Sequence, residues 1–113
     1  MQPVDRSTTE HYTWGGVCDG WHLVKRADMS VIAEQVPPGA RETRHVHGTA
    51  RQFFFVLSGR AVIEVNGERV TCTEGQGVEV PPGTPHQFMN ESSEPAHFLV
   101  FSHPTTRGDR TEL

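Results

Sequence analysis

The sequence has few cysteines, and none has the spacing of a metal or redox motif. Cys18 and Cys72 are the only two, they lie far apart in the chain, and neither belongs to a CxxC pair. A disulfide framework and a cysteine zinc site are therefore not expected. We expect both thiols to be reduced and partly buried.

The chain also lacks basic clusters and long apolar runs. Its ten lysines and arginines are scattered among fourteen aspartates and glutamates, giving a net charge of -4, so no basic stripe offers itself to a phosphate backbone. No apolar run reaches the length of a membrane span, and the N-terminus has no basic segment followed by an apolar one. We expect a soluble, cytoplasmic protein with no nucleic-acid or membrane partner.

Length and composition predict one domain. At 113 residues the chain can bury a single modest core and is too short for two. Glycines and prolines are spread along it, and neither a repeat nor a linker divides it. We expect one domain over residues 1–113, with a core of about residues 17–103 and flexible polar tails.

The apolar pattern predicts β-strands and almost no helix. Residues 53–57 form a continuous apolar run, which is typical of a strand covered on both faces. Asn66 and Gly67 supply the pair that a two-residue β-hairpin requires. Short strands with turn signals between them indicate an all-β sandwich or barrel. Besides residues 53–57 and the arms of the hairpin, the predicted strands are residues 17–25, 29–36, 78–80, 86–89 and 96–102.

Two histidines one residue apart, His45 and His47, are the first candidate site. Residues two apart on a strand point to the same face, so these imidazoles can meet one metal ion. The pair alone does not decide the matter, because two surface histidines on an amphipathic strand have the same spacing. The wider sequence context favours the metal site.

Two longer patterns surround the candidate histidines. The first is Gly39, five residues, His45, one residue, His47, four residues, Gln52, six residues and Gly59. The second is Gly75, five residues, Pro81, one residue, Gly83, two residues, His86, three residues and Asn90. Here the sequence resembles the cupin superfamily, whose motifs are G(x)5HxH(x)3-4E(x)6G and G(x)5PxG(x)2H(x)3N. Every fixed position matches except Gln52, which stands where the family has glutamate.

The resemblance implies both a fold and a ligand set. The fold is the double-stranded β-helix, an all-β jelly-roll barrel of roughly six to eight strands with a pocket lined by the motif strands. The family positions that supply metal ligands correspond to His45, His47, Gln52 and His86. Simple alternation would point His47 and Gln52 to opposite faces, so the sequence predicts a turn or bulge within residues 48–51.

The glutamine changes the chemistry expected of the site. The side-chain oxygen of Gln52 can ligate a metal, but it is neutral and binds more weakly than a carboxylate. Three imidazoles and an amide leave the charge of a divalent ion uncompensated, which favours an anionic guest. Gln52 cannot accept a proton, so base chemistry needs another group. Small polyketide-cyclase-like cupins are similar in holding zinc with three histidines and a glutamine.

The expected ligand set suits several divalent metals. We expect zinc or iron first, and manganese, nickel, cobalt and copper fit the same donors. Some cupins hold no metal, and in that case Gln52 would hydrogen-bond a ligand inside an empty barrel.

Strand register places four more side chains near the ligands. Two are in phase with Gln52, one is in phase with His86, and one lies on the last apolar strand. We expect them to line a pocket for a small organic ligand, with the alternative that each is an ordinary core or rim residue. The opposite face of the strand at residues 53–57 needs cover, and we expect a homodimer. The four side chains are Phe54, Val56, Phe88 and His97.

Two functions remain open at this stage. The first is a metalloenzyme of the dioxygenase, isomerase or cyclase type, favoured by the near-complete ligand set. The second is a non-catalytic module that binds or senses a small molecule, since the fold does not decide the function. No residue outside the ligand set is assigned to catalysis.

Overall fold

The computed structural model describes residues 1–113 and contains eleven β-strands. All strand pairs are antiparallel, and most connections are short turns, as the sequence predicts. No helix in the structure is long and apolar enough to cross a membrane. The strands are β1 Glu10–Trp14, β2 Cys18–Lys25, β3 Ser30–Val36, β4 His45–His47, β5 Arg51–Ser58, β6 Arg60–Val65, β7 Glu68–Thr73, β8 Gly77–Val80, β9 His86–Met89, β10 Ala96–His103 and β11 Arg110–Glu112.

The strands form two sheets that enclose one core. The six-stranded sheet has the order β1-β2-β3-β10-β5-β8, and the five-stranded sheet has the order β11-β4-β9-β6-β7. Phe88 on β9 and Phe98 on β10 stack across the gap with ring centroids 3.9 Å apart. Both are almost completely buried, so the apolar faces of the two sheets stabilise each other. The predicted jelly-roll fold is confirmed.

The predicted hairpin is present at Asn66 and Gly67. Their φ angles are 51° and 91°, the left-handed values that a two-residue hairpin needs. The turn joins β6 to β7 in full register, from Arg60 opposite Thr73 to Val65 opposite Glu68.

Ordered structure extends beyond the predicted core of residues 17–103. Strand β1 adds an edge to the six-stranded sheet, and β11 covers the free edge of the three-residue strand β4. In that pairing Arg110 lies opposite His47 and Glu112 lies opposite His45. The expectation of a loose tail is wrong for this segment, because its order comes from backbone pairing and its polar residues give no apolar signal.

Strand β5 has one buried face and one partly exposed face. Gln52, Phe54 and Val56 point into the core, whereas Phe53 and Leu57 on the other face are each 40% exposed. Within this chain, the apolar run at residues 53–57 is therefore covered fully on one face only.

A glycine next to this strand offers a test of the packing. We expect Gly59→Ala to lower the free energy of unfolding by about 3 kcal/mol, against about 1 kcal/mol for Gly67→Ala. Both glycines have positive φ, but a Cβ at Gly59 would clash with the carbonyl oxygen of Pro95, while one at Gly67 meets nothing within 4 Å. Urea unfolding of the two variants measures the difference, and equal losses would contradict the backbone clash.

Candidate metal centre

Three buried histidines meet between the sheets. His45 and His47 share the inner face of the short strand β4, and His86 on β9 lies directly opposite His45 in the register. One ring nitrogen from each lies within 4.8 Å of the others. All three side chains are buried, with His86 at 0% exposure. Three imidazoles this close and this well enclosed could hold a metal ion.

The backbone sets the orientation of each imidazole ring. Every Nδ1 atom lies at hydrogen-bond distance from a carbonyl oxygen, which can only accept, so Nδ1 carries the proton and donates it. The lone pair then resides on Nε2, the atom available to a metal. The acceptors are Thr43 for His45 at 2.8 Å, Asp109 for His47 at 3.1 Å and Thr84 for His86 at 2.9 Å.

Burial keeps these imidazoles neutral. It lowers the pKa of all three histidines, and that of His45 falls to about 3. Neighbouring charges lower the pKa further: a neighbouring histidine and then Arg110 for His45 and His86, and Arg110 for His47. Protons therefore compete little with a metal ion at neutral pH.

Gln52 faces the same space from the six-stranded sheet. Its side chain is 7% exposed, and its Nε2 donates to the Ser102 hydroxyl at 3.1 Å. Its Oε1 is buried without a hydrogen-bond partner, and so is Nε2 of His86. Buried polar atoms are rarely left unpaired, so these two orphaned atoms fit the donors of a metal site.

A break between the strands brings His47 and Gln52 to the same side. Strand β4 ends at His47 and β5 begins at Arg51, so the chain turns within the residues where the sequence predicts a turn or bulge. The Asp109 carboxylate holds this turn, accepting hydrogen bonds from the backbone N–H groups of Gly48, Thr49 and Ala50. These bonds lower the pKa of Asp109.

Asp109 therefore supports the site in two ways. Its carboxylate accepts hydrogen bonds from the turn, and its backbone carbonyl accepts one from His47. We expect Asp109→Ala to weaken the affinity for Zn²⁺ by about 10- to 100-fold, because His47 and Gln52 lose their fixed spacing. A competition titration with a chromophoric chelator measures the affinity. The exposed Asp28 gives the matched control, Asp28→Ala, and equal affinities of the two variants would show that the turn does not set the site.

Two of the histidines, His45 and His47, line a small cavity of about 150 Å³. Its apolar wall includes Phe54, Phe98 and Val100. Its polar wall includes four ionisable side chains to which the sequence analysis assigns no role. They are Tyr12, Glu34, Glu42 and Arg110.

One of these four carries a sequence signal. Glu34 lies in the inward phase of β3, between Ile32 and Val36, where a carboxylate interrupts an apolar face. Tyr12 alternates with Trp14 on β1, but this short aromatic pattern does not assign either residue to the site. Arg110 comes from a terminal strand that shows no apolar pattern, so its approach to the site is visible only in the fold.

The two carboxyl groups in the cavity wall are strongly perturbed. Burial, reinforced by the neighbouring Glu42, raises the pKa of Glu34 to about 8, and burial raises that of Glu42 to about 7. The Tyr12 hydroxyl donates to Oε1 of Glu34 at 3.3 Å. The backbone N–H of Phe88 donates to Oε2 of Glu42 at 2.8 Å, and both this bond and Arg110 oppose the effect of burial there.

The four predicted pocket residues take three different positions. Phe54 lines the cavity, and its ring lies 5.9 Å from that of His86. Val56 and Phe88 belong to the packed core and do not border the cavity. His97 is a correction: it lies on the outer face of β10, where its Nδ1 is 2.9 Å from a guanidinium nitrogen of Arg6. On that strand Phe98 and Val100 take the inward phase, so His97 points away.

Comparisons with known proteins agree with this architecture. The family model for the cupin domain matches residues 33–102. An uncharacterized protein of Streptomyces coelicolor is 33% identical over 88 residues, which cover 76% of this chain and 83% of that protein. The polyketide synthase CurC of Streptomyces cyaneus is 30% identical over 67 residues, covering 59% of this chain and only 44% of CurC. The crystal structure of the polyketide cyclase RemF from Streptomyces resistomycificus superposes with a TM-score of 0.80 at 19% identity, covering 93% of this chain and 80% of RemF.

Proposed function

This chain belongs to the cupin family, and from that premise we propose that it is a metalloenzyme acting on a small organic substrate. The observation that carries the proposal is the pair of orphaned donor atoms, Nε2 of His86 and Oε1 of Gln52, at a cluster of three oriented histidines. A bound divalent cation would give both atoms the partner that the protein does not supply.

The proposed ligands are His45, His47, Gln52 and His86. Three neutral nitrogens and one neutral oxygen suit zinc or iron first, and manganese, nickel, cobalt and copper fit the same donors. When bound, the ion would supply Lewis acidity to a substrate oxygen or, if it is redox-active, reactivity toward dioxygen. No carboxylate in this set offsets the charge of the ion, which favours an anionic substrate.

The remaining cavity residues would bind and orient the substrate. Phe54, Phe98 and Val100 offer an apolar surface for an aromatic or aliphatic body. Arg110 offers a cationic group at the polar wall, which suits a carboxylate or enolate. The name of RemF, a polyketide cyclase, supports a cyclase reaction. The isomerase type is proposed from the Lewis acidity of the ion, and the dioxygenase type depends on the identity of the metal.

Elemental analysis by mass spectrometry on untagged protein, purified without chelator, tests this proposal. We expect about one transition-metal ion per chain in the wild type, weaker retention in Gln52→Ala, and firm retention in Gln52→Glu, which restores the stronger carboxylate ligand. Zinc would direct the search to isomerase, cyclase and hydrolytic reactions, and a redox-active metal to oxygen chemistry.

The opposite result would change the assignment. A wild-type protein that is purified without metal, and stays empty after metal is added, would contradict the metalloenzyme. The chain would then be a metal-free cupin that binds or senses a small molecule, and Gln52 would be a hydrogen-bonding group for that ligand.

We also propose that the chain forms a cytoplasmic homodimer. Phe53, Leu57 and Phe101 share the outer face of the six-stranded sheet, and the rings of Phe53 and Phe101 lie 6.2 Å apart. An exposed aromatic patch of this kind is typical of a protein contact. Sedimentation equilibrium gives the mass of the species in solution, and a monomer at micromolar concentration would contradict the dimer.

A further inference from the structure

The proposed metal ligands leave the site without a proton acceptor. Gln52 is a neutral amide. The Nδ1 of each histidine is hydrogen-bonded to a backbone carbonyl oxygen, and the Nε2 is the atom that would bind the metal. Proton transfer to or from a substrate therefore needs a different side chain in the same cavity.

Two carboxyl groups border the cavity, and one of them is already engaged. Glu42 accepts the backbone N–H of Phe88 through Oε2, and its Oε1 lies 3.8 Å from Nδ1 of His45. These contacts fix Glu42 between two strands of the five-stranded sheet. Its position is that of a structural support behind the histidine.

Glu34 is placed differently. It lies on β3, opposite Gly20 and Phe98 in the strand register, and it borders the cavity that His45 and His47 line. Its one side-chain hydrogen bond comes from the Tyr12 hydroxyl at 3.3 Å. A carboxyl group with a single neutral partner, facing a cavity, keeps acceptor capacity for a substrate.

A second hollow also borders this carboxyl group. It has a volume of about 370 Å³ and extends toward Trp14 and Arg41. Its wall and that of the histidine cavity have four residues in common. The shared residues are Tyr12, Glu34, Glu42 and Arg110.

Building on the metalloenzyme proposed above, we propose that Glu34 transfers protons to and from the substrate. The substrate class that fits is a small carbonyl compound with an acidic C–H bond next to the carbonyl group and an anionic group for Arg110. Tyr12 then acts as a positioning residue, because it holds the carboxyl group through Oε1 and leaves Oε2 available to the substrate.

The proposed reaction is a proton shift within one molecule. The carboxylate of Glu34 takes the proton from the carbon beside the carbonyl, and the electron pair of the broken C–H bond becomes the carbon–carbon π bond of an enolate. The carboxyl group then returns the proton to another atom of the same substrate. No electron is gained or lost overall, so no co-reactant is required.

The surroundings of Glu34 suit this role. Burial and the carboxyl group of Glu42 raise its pKa to about 8, while Arg110 and the Tyr12 bond oppose that rise. His45 and His47 border the same cavity and are neutral. A divalent cation beside them would lower the pKa of Glu34 toward neutrality, where a proton-transfer group works best.

Proton exchange of pyruvate in D₂O, followed by proton NMR, tests the assignment on the full chain loaded with zinc. We expect the wild type to exchange the methyl protons faster than free zinc does, and Glu34→Gln to reduce that rate by about a hundredfold. Glu34→Asp should keep part of the rate. Glu79→Gln, the same substitution at an exposed strand residue, should keep all of it.

Infrared spectroscopy of the metal-free protein gives a second readout that does not depend on turnover. The wild type should show the C=O band of a protonated carboxyl group at neutral pH, and the band should fade as the pH rises through about 8. Glu42, whose pKa is raised to about 7, contributes a band that fades at lower pH. Glu34→Gln should therefore lose only the part of the band that fades near pH 8, and Glu79→Gln should keep both parts. An unchanged band in Glu34→Gln would overturn the assignment.

Metal content, measured on the same samples, separates the two proposals. If the wild type holds zinc and exchanges pyruvate no faster than free zinc, or if Glu34→Gln equals the wild type, the metal site stands and the role of Glu34 is refuted. If the wild type holds no metal, the metalloenzyme is refuted. The same comparison of wild type with Glu34→Gln without metal then decides the role of Glu34.

Discussion

Replacing His86 with alanine should lower the affinity for Zn²⁺ by well over roughly 100-fold. Loss of a residue that only hydrogen-bonds a metal ligand costs up to roughly 100-fold, and His86 is a ligand itself. His86 is fully buried, its Nδ1 is fixed by the carbonyl oxygen of Thr84, and its Nε2 has no partner in the protein. Alanine removes one of three nitrogen donors from a site that has no carboxylate to compensate. The two remaining imidazoles and the amide should bind Zn²⁺ only weakly.

Competition with a chromophoric chelator measures this affinity, and His97→Ala is the matched control. His97 is bonded to Arg6 on the outer face of the sheet, so its loss should leave the affinity unchanged. Circular dichroism of both metal-free variants checks that they are folded. Tight binding by a folded His86→Ala protein would remove the three-histidine site from consideration.

The resemblance to the two cupin motifs was enough to predict the fold and the meeting of His86 with His45 and His47. His45 and His47 share a face because alternation on a strand is a local property. The turn between His47 and Gln52 was predictable because residues five apart on one continuous strand point to opposite faces. Both can face inward only if the chain turns or bulges between them. Both conclusions depend on residues close together in the chain.

The rest of the site depends on pairings between distant segments. Arg110 reaches the cavity only because β11 pairs with β4, and Tyr12 reaches it because β1 pairs with β2. Strand β11 has no apolar pattern, and the alternating Tyr12 and Trp14 of β1 do not indicate which strand it joins, so no local signal reveals these pairings. His97 shows the opposite error: its strand was identified, but a histidine on an apolar strand does not reveal by itself which face it takes.

Glu34 connects the function of the site with its stability. A carboxyl group whose pKa is raised to about 8 by burial, from an ordinary value of 4.5, makes the folded state less stable once the unfolded chain ionises. Between these two pH values the unfolded state has released the proton and the folded state has kept it. The free energy of unfolding therefore falls by about 1.4 kcal/mol for each pH unit.

Glu34→Gln removes this penalty and should stabilise the metal-free protein. The amide keeps an oxygen that can accept the Tyr12 hydroxyl, so packing and hydrogen bonding change little. The gain should be near zero at about pH 4, where the carboxyl group is protonated in both states. It should grow as the pH rises and level off above about pH 8, at a value on the order of 5 kcal/mol.

Urea unfolding at about pH 4, 6 and 9 measures this profile. The lowered pKa values of the histidines also reduce stability in acid, but they act equally on wild type and variant, so the difference isolates Glu34. Glu79→Gln should show no such profile, because Glu79 is exposed and pairs with Arg51 at the surface. A gain that is the same at every pH would mean that the pKa of Glu34 is the same in the folded and unfolded states. A pH-dependent gain would mean that the fold gives up stability to keep a protonated carboxyl group in the cavity that His45 and His47 line, as a proton-transfer site requires.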